Sequence, residues 1–212
     1  KNFLIIFLLF IIISVAYFPA CFQGKVLDAS DYNTFMGASK ELRDYKEATG
    51  QEALWTNSMF GGMPAYLILT HYKGNVFQLY FSLMNQIPKP VNYVLINFCV
   101  FFLLALILGV NPWVGFAGAL AYGFTSWFFV MLAEGHVTKV QAISYLPLLI
   151  GGVYMAYHKK LIWGAVITLV GLTLILSVNH LQMTYYAGIL VLIMAITYFV
   201  YAIKEKTIPD FV

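Results

Sequence analysis

Three short runs of this sequence gather side chains that can move protons or hold charge. In Gly24-Lys25-Val26-Leu27-Asp28-Ala29-Ser30-Asp31, two carboxylates stand three residues apart, a spacing open to a general base or to metal ligands. The same run also suits a solvated loop in which Asp31 or Asn33 caps the following helix. Glu134, His136 and Lys139 form a second group between two strongly apolar segments. They suit an ionic site, or charges that simply reach into lipid headgroups. The third run is Asn179-His180-Leu181-Gln182-Met183-Thr184, polar where the chain re-enters an apolar stretch. Ionisable groups so placed are candidates for function, and a hydrogen bond from His180 to a neighbouring helix end is the plain alternative. No phosphate-cradling glycine loop, nucleophile elbow or zinc spacing is present, and Gly61-Gly62 reads as a turn.

The elements that must position these groups are membrane helices. Hydrophobic residues make up 61% of the 212, charged residues only 10%, and mean hydropathy is +0.81. A water-facing domain needs roughly a quarter charged residues. A formal charge of +3 is too small for a counterion-releasing nucleic-acid surface, so no nucleic-acid partner is expected. Cys21 and Cys99 fit no metal spacing and are expected to stay unpaired. The first apolar run is too long for a signal-peptide core and lacks a small-residue cleavage site, so it reads as a retained anchor. A chain that starts at Lys1 and stops at Val212 just after a helix reads as part of something longer.

The expected fold is an all-α integral membrane protein. Apolar segments at about 3–20, 91–109, 113–133, 141–157, 160–178 and 183–203 give about six transmembrane helices. A loop at 21–89 lies between the first two. Within it, Thr34 to Ala48 has helical periodicity, with Phe35, Ala38, Leu42 and Tyr45 on one face. Val76 to Ile87 is shorter and suits an interfacial helix. Lysines at 159, 160, 204 and 206 place those short loops, with Lys1, in the cytoplasm, and the 21–89 loop outside.

This layout resembles the GT-C membrane glycosyltransferases. The local runs Asp28-Ala-Ser-Asp31, Lys40-Glu-Leu-Arg-Asp-Tyr45, Leu54-Trp-Thr-Asn-Ser-Met-Phe-Gly-Gly-Met-Pro-Ala-Tyr66, Gly135-His136 with Lys139, Tyr145-Leu-Pro147 and Asn179-His-Leu-Gln-Met-Thr-Tyr-Tyr186 resemble YfhO-type bacterial membrane proteins, especially Bacteroidetes forms. On that resemblance, residues 1–212 are the N-terminal part of a GT-C-like domain in the bacterial cytoplasmic membrane. The resemblance implies transfer of a sugar from a lipid-linked donor, a polyprenyl phosphate, to an envelope acceptor at the outer face. Asp31 would then be the general base, with Asp28 in reserve. His136 and Lys139 would stabilise the donor phosphate beside Glu134. His180 and Gln182 would orient substrate, and Trp55 and Asn57 would shape the loop over the sugar. Some members of that superfamily use a divalent cation, Mg or Mn, and others none; nothing in these residues requires one. A transporter or flippase for a lipid-linked substrate, or a non-catalytic scaffold of an envelope complex, would use the same outer polar groups differently.

Overall fold

A computed structural model describes residues 2–25, 27–69 and 74–207. Lys1, used above for orientation, and Val26 of the first polar run lie outside them. The described chain is built of helices and connecting turns, with one antiparallel ladder of two residues per strand, β1 (Trp55–Thr56) with β2 (Met63–Pro64). Three stretches are long and apolar enough to cross a membrane: Pro112–Glu134, Val137–Tyr157 and Leu181–Lys204. Three further apolar helices are shorter: α1 (Asn2–Tyr17), α5 (Val91–Ile107) and α9 (Leu161–Ser177). At 1.5 Å per residue these reach about 24–26 Å, somewhat less than a hydrocarbon core.

Between α1 and α5 the loop folds into α2 (Ser30–Ala38), α3 (Lys40–Thr49), the small ladder and α4 (Gln78–Asn85). The single helix expected over 34–48 is therefore two. Ser39 is buried and donates its hydroxyl to Phe35 O at 2.6 Å, while Arg43 donates to Ser39 Oγ and to Met36 O, each at 2.6 Å. The kink is thus stapled by side chains that satisfy the last carbonyls of α2. Glu41 anchors the next turn: its Oε2 accepts from the Thr56 hydroxyl and from the Asn57 and Ser58 amides at 3.0 Å each. The Thr56 hydroxyl, then those amides, hold the Glu41 carboxyl below its ordinary value.

The expected span 113–133 is also interrupted. It forms α6 (Pro112–Gly123) and α7 (Ser126–Glu134), with Thr125 in extended backbone between them. Phe124 at this break packs edge-on to Phe98 and stacked on Phe129. Asn111 starts α6 by accepting from the Trp113 amide at 2.9 Å, with Pro112 in the first turn.

α8 (Val137–Tyr157) is the central helix. Its Pro147 lacks an amide proton, which removes the bond that would reach Ile143 O. Tyr122 of α6 donates its hydroxyl to that carbonyl at 2.9 Å. α8 and α9 form the closest pair. A Cβ on Gly152 would lie 2.4 Å from Thr168 N, and one on Gly164 the same distance from Ala156 N. Without a hydrophobic drive between helices in lipid, such small-residue seams hold helices by dispersion. A second apolar core joins α1, α5 and α6, where Phe10 stacks between Phe98 and Phe116. α10 (Leu181–Lys204) presents most of its length outward.

Candidate functional site

Two helix–helix turns at one end of the bundle are built alike. α7 ends at Glu134, Gly135 takes a left-handed φ of 89°, and His136 caps α8. α9 ends at Ser177, Asn179 takes a φ of 58°, and His180 caps α10. Each turn therefore delivers a histidine to the first position before a helix. Glycine is needed in the first turn on two counts. Its φ is costly for a side chain, and a Cβ there would sit 3.0 Å from Asp31 Cβ and 3.1 Å from Ala29 Cβ. The start of α2 lies directly on that turn.

That docking creates the central contact. His136 Nδ1 lies 2.7 Å from Asp31 Oδ2, with the side chains 33% and 53% exposed. An ion pair this exposed adds little stability. Its effect is geometric: with Nδ1–H committed to the carboxylate, Nε2 is the ring atom left to face a ligand. Asp28 is turned elsewhere and accepts from Asn33 Nδ2 at 2.9 Å. Of the two carboxylates three residues apart, one faces the histidine and the other holds its own loop.

His180 uses its ring differently. Its Nδ1 accepts from the Met183 amide at 3.4 Å, a side-chain cap that requires the lone pair. Its pKa is pushed below the ordinary histidine value, first by burial, then by the nearby positive groups Lys139 and His136. That influence places all three side chains in one electrostatic neighbourhood. Among the described residues, Lys139 has no carboxylate within ion-pairing distance. Asn179 ties its turn to the segment between α1 and α5 by donating Nδ2 to Tyr66 O at 2.8 Å.

Other expected site residues stand apart. Gln182 donates to the Tyr186 hydroxyl on its own helix at 2.9 Å, and Glu134 is exposed at the end of α7. Trp55 Nε1 donates to Asn57 Oδ1 at 3.2 Å, and no hydrogen bond among the described residues links either to the histidines. Among the described residues no three His, Cys, Asp or Glu side chains gather as a metal-ligand set. Glu41 is a positioning residue that sequence reasoning passed over, and Asn179, though in the third run, was given no role there.

A cleft of about 850 Å³ opens beside the cluster. Val137 and Asn179, next in sequence to the two histidines, lie in its wall, as does Phe35, one turn along α2 from Asp31. Gln78, Asn85 and Gln141 contribute amides, and Lys89 a cation. The cluster therefore adjoins a space that apolar, amide and cationic groups line together.

No family model, curated protein or solved structure matches this chain. Its chemistry rests on this geometry.

Proposed function

We propose that this chain is part of a membrane glycosyltransferase that moves a sugar from a polyprenyl-phosphate donor to an envelope acceptor at the outer face of the cytoplasmic membrane. The observation that carries this reading is the meeting of Asp31 and His136 at 2.7 Å, with Lys139 and His136 close enough to His180 to lower its pKa. Six helices cross the bilayer in this reading, the shorter ones by local thinning. The lysine-bearing turns face the cytoplasm, and the histidine-bearing turns and the 21–89 loop face outward.

A polyprenyl tail stays in lipid while its phosphate sits at the interface, where these helix ends meet the outer loop. Asp31 takes the proton of the acceptor hydroxyl as that oxygen bonds to the anomeric carbon. The bond from that carbon to the phosphate oxygen breaks, and its electron pair leaves with polyprenyl phosphate. His136 Nε2–H and the Lys139 ammonium face the charge that develops there. His180, held neutral, offers a hydrogen bond without adding charge. Asp28, Glu134, Gln182, Trp55 and Asn57 serve the surrounding loops in this reading.

The same 2.7 Å contact favours a second assignment within the same activity. A neutral His136, its Nδ1–H held by Asp31, takes the proton at Nε2 instead. Transfer from a polyprenyl-phosphate sugar, measured in nanodiscs, separates the two. Asp31→Asn should be the more damaging change if Asp31 is the base, and His136→Gln if the imidazole is. Full transfer by both folded variants would sink the reading. Saturable polyprenyl-phosphate binding without any product would point to a carrier of lipid-linked substrate instead.

A further inference from the structure

The opposite end of the bundle carries a charge pattern that the transferase reading does not use. His158 and Lys159 follow α8, Lys160 caps α9, and α10 ends at Lys204 with Glu205 and Lys206 after it. Among the described residues four exposed lysines thus accompany one carboxylate, and none of the four is ion-paired. Aromatic rings bring the two segments together. Tyr157 stacks on Tyr198 of α10 with ring centres 4.3 Å apart, and His158 stacks on Tyr154 at 3.8 Å while meeting Tyr198 edge-on at 5.8 Å. Beside this platform the first turn of α9 exposes Leu161, Ile162 and Trp163.

Among the described residues the charge is local rather than spread over this end. A Cβ on Gly151 of α8 would lie 2.9 Å from Ile107, so the turn from α5 to α6 reaches the same end of the bundle. That turn, Leu108-Gly109-Val110-Asn111-Pro112-Trp113, holds no charged residue. Lysines placed only to orient the chain need no aromatic platform. An ammonium cluster beside tyrosine hydroxyls and an exposed apolar turn matches a phosphodiester above acyl chains.

We propose that the lysine–tyrosine end of α8, α9 and α10 is a binding site for the headgroup of an anionic phospholipid. The lysines meet the phosphodiester, Tyr154 and Tyr201 offer hydroxyls at its edge, and the acyl chains lie along Leu161, Ile162 and Trp163. The site is independent of the transferase chemistry, because it shares no residue with the histidine cluster.

Two tryptophans make the test internal: Trp163 beside the lysines and Trp113 at the uncharged turn. Variants retaining only one or the other, with the remaining tryptophans changed to Phe, would be reconstituted in phosphatidylcholine bilayers with brominated phosphatidylglycerol or brominated phosphatidylcholine. Brominated phosphatidylglycerol should half-quench Trp163 at a mole fraction about fivefold lower than it needs for Trp113, the scale expected of one effective lysine–headgroup contact. Brominated phosphatidylcholine should quench the two alike. The preference should vanish in Lys159→Gln/Lys160→Gln/Lys204→Gln/Lys206→Gln and persist in the matching arginine variant. Equal quenching of both tryptophans by the anionic lipid would overturn the proposal, whatever the lysine variants do. So would a preference erased by inorganic phosphate beyond the effect of chloride at equal ionic strength, since that places a soluble anion there.

Discussion

The Gly135-His136 and Asn179-His180 turns share a backbone plan and differ in what each histidine does with Nδ1. At the first, Nδ1 is spent on Asp31, a tertiary partner more than a hundred residues away in sequence. At the second, it is spent on Met183 of the helix that His180 itself caps. An acceptor from an amide must stay neutral to make its bond, so the His180 contact needs a free Nδ1 lone pair, whereas the His136 contact is made to a carboxylate oxygen. One local structure therefore presents two imidazoles with different Nδ1 partners. The difference goes with what meets each turn: α2 on Gly135, and the short 3-10 turn Ala65–Leu67, through Tyr66 O, at Asn179.

Removing each ring in turn should give the largest contrast. His136→Gln is expected to lower sugar transfer by about 10²–10⁴-fold, the range for a group that shares in proton transfer or phosphate stabilisation. His180→Gln should lower it much less, because glutamine can still accept at the cap and donate to a ligand. Equal losses in a transfer assay would mean that the two rings are interchangeable and the comparison empty.

Stability should separate the turns next. Gly135→Ala forces a side chain into left-handed backbone and against Asp31 and Ala29, and should cost about 1–3 kcal/mol in unfolding measured in detergent. It should also reduce transfer, by levering α2 away from His136. Asn179→Ala loses one hydrogen bond to Tyr66 O and is expected to cost about 1 kcal/mol. Asn179→Gly relieves the backbone while still losing that bond, so it should fall between wild type and alanine.

Much of this architecture is legible from hydropathy, because lipid demands long apolar helices whatever their partners. The expected spans meet observed helices within a few residues, except where side chains decide. The span expected to begin at 141 begins at Val137, since His136 caps the helix and Lys139 lies in its first turn. The break at Ser39 is invisible to periodicity because the apolar spacing Phe35, Ala38, Leu42, Tyr45 runs through it uninterrupted. All three polar runs were visible as candidates, yet nothing in the Asp28-Ala-Ser-Asp31 spacing says which carboxylate meets His136. That choice is made by the docking of α2 on Gly135. Trp55 and Asn57 were singled out through the resemblance of their motif, and here they bond to each other. Glu41 was passed over because a carboxylate on an amphipathic helix gives no sign that it will gather a turn fifteen residues onward.

The smallest expected effect tests the electrostatic half of the comparison directly. His180 should titrate below the ordinary histidine value of 6.5, owing first to burial and then to Lys139 and His136. Lys139→Gln leaves burial unchanged but removes a repelling cation, so the midpoint should rise toward 6.5, followed by NMR of a chain labelled at histidine. The consequence for stability has a definite sign. The unfolded chain takes up its proton as pH falls through the ordinary value, while folded His180 resists, so folding weakens between that pH and the lower folded midpoint and levels off beneath it. In Lys139→Gln that window should narrow. A midpoint that stays put would show that Lys139 does not reach His180, and the two turns would then be neighbours in space without sharing a field.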